Sequence, residues 1–265
     1  MSDALTRLIT RAVTRLVEER AETLRSDGRL ARRDFMRLLS LGVVAPLVAA
    51  CSAPGGEKTQ QLLNAVGKRN ERLERWLLKV ANGRDRVSPR VRSAGEAFPS
   101  YFVSDTVPMW DPAARGAWAL VVDGAVRTPL RLTLPELTAL GMRTQRVNHY
   151  CVEGWNAVAK FQGVPFTTLA RMARPTANAG YVDFASFDKD YHESWDVESA
   201  MHPQTMVVLA KDGRMLSPRY GAPARVHSPI KLGYKNTKYL TRITFLPAPN
   251  GGYWSDEGYE WFGGT

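Results

Sequence analysis

The spacing of apolar residues changes character several times along the chain. Leu5, Leu8, Ile9, Ala12, Leu16 and Val17 recur at helical intervals with arginines between them, which predicts an amphipathic helix near the start. Leu38 to Ala50 is a largely apolar run of thirteen residues, short for a membrane span, and Pro46 inside it argues against a helix continuing into a core. Helical period returns at Leu62, Val66, Leu73, Trp76, Leu77 and Val80, predicting one helix or two short ones over residues 62–80. Pro, Gly and Ser then interrupt residues 87–101, which read as extended loop.

From Trp118 the pattern becomes that of strands. Trp118–Val122, the Asp123-Gly124 turn and Ala125–Arg127 predict a hairpin, and Met206–Ala210, Asp212-Gly213 and Met215-Leu216 predict a second. Arg143–Cys151, Tyr181–Phe187 and Leu240–Leu246 read as further strands. Thr133-Leu-Pro-Glu136 is a capping box with proline in the first turn, so a short helix is expected to about Leu140, and another over 165–173. Strands of this length with short helices predict an α+β domain of mixed sheets. The expected organisation is a leader over 1–51, a helix and linker over 52–97, and one domain over 98–265.

The leader carries its own chemistry. Arg32-Arg33-Asp34-Phe35-Met36-Arg37 ahead of the apolar run resembles a twin-arginine export signal, and Val48-Ala49-Ala50-Cys51 resembles a lipobox, in which cleavage leaves a lipidated cysteine. Residues 1–31 make an unusually long region ahead of such a signal. It reads equally as a membrane-surface helix, a chaperone-binding extension or an upstream start. The resemblance implies a protein in the periplasm or on the outer face of the cytoplasmic membrane, lipid-anchored at Cys51.

The formal net charge of +10 favours anionic ligands, but the positive residues are scattered and no nucleic-acid motif occurs, so nucleic acid is not an expected partner. Two cysteines occur, Cys51 and Cys151. If Cys51 becomes a thioether, Cys151 is a lone thiol in an oxidising compartment, where it is expected to be either buried or bound to a metal.

Arg146-Val-Asn-His149-Tyr-Cys151-Val-Glu153-Gly-Trp155 resembles the molybdenum-binding loop of the sulfite oxidase superfamily. The Cys-Val-Glu-x-Trp form is close to the bacterial periplasmic branch, which includes a protein-methionine-sulfoxide reductase catalytic subunit. Further segments follow in the family's order: Tyr191-His-Glu-Ser194, Ala200-Met-His-Pro203, Gly221-Ala-Pro-Ala-Arg225, and Ser228 to Lys238 with its Gly233-Tyr234-Lys235. The likeness spans roughly residues 98–265. It implies a sulfite oxidase-type molybdopterin-binding fold and a Mo-molybdopterin cofactor, with Cys151 as the metal's protein ligand. It further implies that Tyr191 and Glu153, read as a buried carboxylate able to relay a proton, take catalytic roles. Cofactor contacts are implied for His149, Ser186, Tyr220, Arg225, Gly233, Tyr234, Lys235 and Lys238. His192 is a further candidate for contact with cofactor or substrate, while His202 reads as structural. A guanidinium fork, lysine point charges and glycine-exposed amides suit a polar, phosphate-bearing ligand. The competing reading of Lys231, Lys235 and Lys238, without the likeness, is a solvated strand face.

Glu153 and Gly154 stand where sulfite oxidases place an arginine for their anion, and a carboxylate repels sulfite. The expected reaction is therefore two-electron oxygen-atom transfer with a small S- or N-oxide or methionine sulfoxide. Sulfite dehydrogenation and a non-enzymatic anion-binding lipoprotein are the competing readings. No haem or cluster motif is present, so a separate redox partner is expected, a membrane haem protein or a soluble cytochrome. The sandwich domain through which sulfite oxidases dimerise is not seen, so a monomer is expected.

Overall fold

The computed structural model describes residues 100–265, together with Phe98 and the pair Arg69 and Asn70. That pair is helical and lies inside the helix expected over 62–80; the rest of that helix and the leader lie outside the described residues.

After a single helical turn, α1 (Pro112–Arg115), the chain enters β1 (Ala119–Gly124), β2 (Leu130–Thr133) and α2 (Leu134–Ala139). The capping box forms as expected: Glu136 accepts from the Thr133 amide at 2.8 Å and opens α2. Next come β3 (Arg143–Tyr150), β4 (Asn156–Pro165), α3 (Phe166–Ala173), β5 (Tyr181–Ser186), β6 (His192–Asp196) and α4 (Val197–Ala200). The last part holds β7 (Met206–Lys211), β8 (Arg214–Met215), β9 (Arg225–His227), β10 (Leu240–Leu246) and α5 (Tyr253–Asp256), with a 3-10 turn at Gly233–Lys235.

The strands form two sheets. One runs β2-β1-β10-β5-β6, in which β1 and β10 are parallel and the other pairs antiparallel. The other runs β3-β4-β7, with β8 and β9 both paired to β7, all antiparallel. This mixed α+β architecture agrees with the pattern read from the sequence.

The first hairpin differs in its return strand. β1 pairs with Leu130–Thr133, not with Ala125–Arg127. The chain turns away after Gly124, whose φ is +83°, and Val126 instead bridges Pro175. Asp123-Gly124 breaks the strand as expected, but the bridge to Pro175 diverts the next five residues before the sheet resumes. The ten-residue β4 and the strands β6 and β9 are not among the elements expected from the sequence; β6 and β9 are buried almost throughout and show no alternation.

Period two decides how the sheets pack. On β7, Val207 and Leu209 join a core with Leu120, Val122, Phe184, Ile243 and the buried face of α3 (Phe166, Leu169, Ala170, Ala173). Met206 and Val208 point the other way, into a second cluster with Phe98, Val147, Ala159 and Phe161. Burial of each such large side chain contributes about 2 kcal/mol. β7 is thus covered on both faces, a rigid centre from which the loops around the cleft project.

Candidate functional site

A cleft of about 440 Å³ opens at one end of the two sheets. It is lined by the β3–β4 loop, the β5–β6 turn, the Gly233–Lys235 turn, and irregular segments near residues 98–103 and 253–259. Its volume lies within the ordinary range for a cofactor or small-ligand site.

Cys151 is the first residue of the β3–β4 loop. The loop is closed by its amide donating to the Trp155 carbonyl at 3.0 Å and by the Gly154 amide donating back to the Cys151 carbonyl at 3.1 Å. Gly154 adopts φ +86°, a conformation that residues with a Cβ rarely take. The thiol is half-buried in the cleft, and burial pushes its pKa up, so an unligated Cys151 stays protonated. Its Sγ lies 3.7 Å from Glu153 Oε2, which also accepts from the Trp155 indole at 2.8 Å. Glu153 itself is exposed, contrary to the buried carboxylate expected at that position. A five-residue loop this tight turns the side chain at its tip outward.

Behind the thiol, His149 is buried, with Nδ1 3.3 Å from Nε2 of the equally buried His227. Burial, reinforced by Arg225 and Lys238, holds the His149 pKa down to about 3, so this ring is neutral. Gly233 packs so closely that a Cβ there would sit 2.9 Å from His149 Nε2.

The cations are the most informative residues. Arg225 is 3% exposed; among the described residues its side chain makes only long hydrogen bonds to the Tyr220 and Asn236 carbonyls, at 3.4 and 3.3 Å, and its Nε has no partner. Burial lowers its pKa to about 10, and burial also lowers that of Lys238, to about 7, with Arg225 adding to it. Among the described residues neither cation forms an ion pair. A desolvated guanidinium is costly unless an anion completes it, and Lys238, drawn down toward neutrality although Asp188 pulls the other way, would regain its charge beside one. The hydroxyl of Tyr239, which also lines the cleft, is buried without a partner.

Nine of the eleven residues expected at the site line this one cleft: Cys151, Glu153, His149, Ser186, Tyr191, Arg225, Gly233, Tyr234 and Lys238. Tyr191 donates its hydroxyl to the Tyr234 carbonyl, and burial raises its pKa well above the ordinary phenol value. Tyr220 and Lys235 do not face the cleft. The Tyr220 ring packs edge-on to Phe98 and beneath Lys211, offering only its carbonyl to Arg225. Lys235 is fully buried and pairs with Glu193. Lys231 is buried too, donating to the Phe262 carbonyl at 2.6 Å, so the solvated-face reading of these lysines is wrong. His192 pairs with Asp183 at 2.8 Å away from the cleft, and His202 is buried, accepting from the Gln204 amide.

Sequence reasoning missed Asp188, Tyr239 and the aromatic residues of the C-terminal segment. Asp188 accepts from the Val103 and Ser104 amides at 2.8 and 3.0 Å and so ties the 98–104 segment across the cleft. Nothing in local sequence marks such a contact, whose partners lie more than eighty residues apart.

Residues 105–254 match the oxidoreductase molybdopterin-binding domain family. The chain belongs to this family. It is 38% identical over 236 residues to an Azospira oryzae protein titled "Putative protein-methionine-sulfoxide reductase subunit YedZ1", covering 89% of this chain and 88% of that one. It is 33% identical over 157 residues to the protein-methionine-sulfoxide reductase catalytic subunit MsrP of Burkholderia mallei, covering 51% of this chain and 47% of the relative. Among solved structures, the sulfane dehydrogenase SoxCD of Paracoccus pantotrophus aligns with a TM-score of 0.48 and 20% identity, over 50% of this chain and 39% of that one. The protein is thus a molybdenum oxidoreductase whose cofactor is Mo-molybdopterin. The cleft fits that group: it offers one thiol, a glycine surface, and two cationic side chains that form no ion pair among the described residues. Among the described residues no cluster of His, Cys, Asp and Glu could hold a metal unaided, so Cys151 would supply one ligand to a metal carried by its organic partner.

Proposed function

We propose that this chain is the exported catalytic subunit of a sulfoxide reductase, with Cys151 as the protein ligand to molybdenum. The observation that carries this reading is the placement of the Cys151 thiol in the same cleft as Arg225 and Lys238, neither of which forms an ion pair among the described residues. The bound cofactor supplies the two-electron oxygen-transfer chemistry. Arg225 and Lys238 hold the anionic end of the group, Gly233 lets backbone approach it, and His149 contributes a neutral ring that adds no charge near the metal ligand. Ser186 and Tyr234 complete the wall.

Reduction of a sulfoxide to a sulfide and water consumes two protons and two electrons. Glu153, exposed to solvent and adjacent to Cys151, is placed to pass protons inward. The Tyr191 hydroxyl is already committed to the Tyr234 carbonyl, so it shapes the wall and stays protonated. A carboxylate at the cleft mouth disfavours sulfite, which supports a neutral S-oxide, and both relatives quoted above carry reductase names. The electrons would come from a separate membrane haem protein or soluble cytochrome. Among the described residues no helix is long and apolar enough to cross a membrane. Cys51, in the lipobox-like segment, would provide membrane attachment.

The test is metal and pterin analysis of protein recovered from its own export route, with assays on sulfoxides, N-oxides and sulfite. About one molybdenum per chain and turnover of a sulfoxide are expected. Cys151→Ala is expected to abolish turnover; full activity in that variant, or sulfite as the only substrate, would overturn the reading.

A further inference from the structure

The C-terminal wall of the cleft is held in an unusual way. The turn α5 contributes Tyr253 and Trp254 to the cleft but has no buried residue of its own, so apolar burial alone does not fix it. Ser194 holds the entry to this turn through its amide and hydroxyl, both donating to the Gly251 carbonyl, and the turn itself is anchored by Glu193 on β6, whose carboxylate is fully buried. One oxygen accepts from the Trp254 amide at 3.0 Å; the other accepts from Lys235 Nζ and from Ser255 Oγ, the latter at 3.1 Å. Lys235 also reaches Ser255 Oγ at 3.3 Å. Gly252 lies directly on the carboxylate, where a Cβ would come within 2.3 Å of Oε2. Tyr253 in turn stacks on Tyr191 with ring centroids 5.4 Å apart, and Trp254 lies against Tyr259.

We propose that Glu193 is the positioning residue for the Tyr253–Trp254 wall, with Lys235 as its counter-ion, and that this latch sets how much apolar bulk the cleft admits beside the reacting oxide. The lysine of the Gly-Tyr-Lys turn thus acts on the substrate side of the cleft, through Glu193, while its neighbours Gly233 and Tyr234 line the cleft directly. The bulk-selection part rests on the sulfoxide reading; the latch itself does not.

Two measurements on the holoenzyme test it. In Glu193→Ala, hydrogen exchange of the 251–259 peptide is expected to quicken about tenfold, with peptides of β1, β4 and β10 unchanged. In the same variant, KM for methyl p-tolyl sulfoxide is expected to rise about fivefold while kcat and molybdenum content hold and KM for dimethyl sulfoxide barely moves. Unchanged exchange at 251–259, or acceleration throughout the protein, overturns the latch. Equal KM shifts for both sulfoxides overturn bulk selection. If the wild type reduces neither sulfoxide, the reductase reading and bulk selection fail together, and exchange alone still decides the latch. Ser255→Ala, which removes one donor to the carboxylate without unpairing Lys235, gives a milder form of both changes and serves if Glu193→Ala does not fold.

Discussion

Replacing Arg225 by methionine separates what this residue does for the fold from what it does for the cofactor. In most proteins, removing a buried arginine breaks an ion pair and costs several kcal/mol. Here there is no ion pair to break among the described residues. Burial alone lowers the pKa to about 10, and that fall corresponds to about 3 kcal/mol of strain on the charge in the folded protein. Against this stand two long hydrogen bonds to backbone carbonyls, at about 1 kcal/mol each or less, and the guanidinium over the Phe161 ring at 5.6 Å, at about 1 kcal/mol. Methionine keeps most of the apolar stem. Cofactor-free Arg225→Met is therefore expected to match the cofactor-free wild type within about 1 kcal/mol in urea unfolding, whereas the purified enzyme loses most of its molybdenum and pterin. A loss of more than about 3 kcal/mol in the cofactor-free form would show that the charge has a partner or a structural role that the geometry does not contain. Full molybdenum occupancy in the variant would remove it from the anion site.

The His192–Asp183 pair predicts a pH signature. Its hydrogen bond to Asp183 raises the His192 pKa, so the contribution is complete below the ordinary histidine pKa and is lost as pH rises through the folded value. Asp183→Asn should cost about 1 kcal/mol near pH 5.5, allowing for partial exposure of the ring, and much less near pH 8. Urea midpoints at the two pH values check this, and an equal loss at both would refute it. At Gly163, where β4 shifts register against β7, a Cβ would lie 2.1 Å from the Val207 carbonyl oxygen and 2.6 Å from Val208 Cα. Both are backbone atoms of the central strand, so Gly163→Ala is expected to cost about 3 kcal/mol or more in melting and unfolding experiments.

What could be read in advance follows the range of the interaction involved. β10 appears at its expected residues because Ile243 and Phe245 alternate with less buried neighbours, a local pattern; Leu240 joins the same core across a register shift. The capping box and the Asp212-Gly213 hairpin are also local, and both form. The segment after Gly124 was misread because its fate depends on Pro175, fifty residues away. The same division holds in the cleft. Cys151, Gly233 and Arg225 lie in short motifs whose backbone dictates where they face. Tyr220 and Lys235 lie in equally clear motifs, yet their side chains answer to Lys211 and Glu193 on distant strands. Motif membership told which turns build the cleft; it did not tell which side chain of each turn enters it.

The pairing of β1 with β10 has a consequence for biosynthesis. β1 is the first strand of its sheet to leave the ribosome and β10 the last, with Val121 set beside Arg242. While the chain is still being made, Leu120 and Val122 therefore lack the covering strand that will bury them, and the turn bearing Gly233 does not yet exist. A nascent polypeptide of this kind exposes apolar strands until nearly its full length has emerged, so it is a natural client for chaperones. Metal loading, on this topology, would have to wait until β10 and the Gly233 turn have emerged.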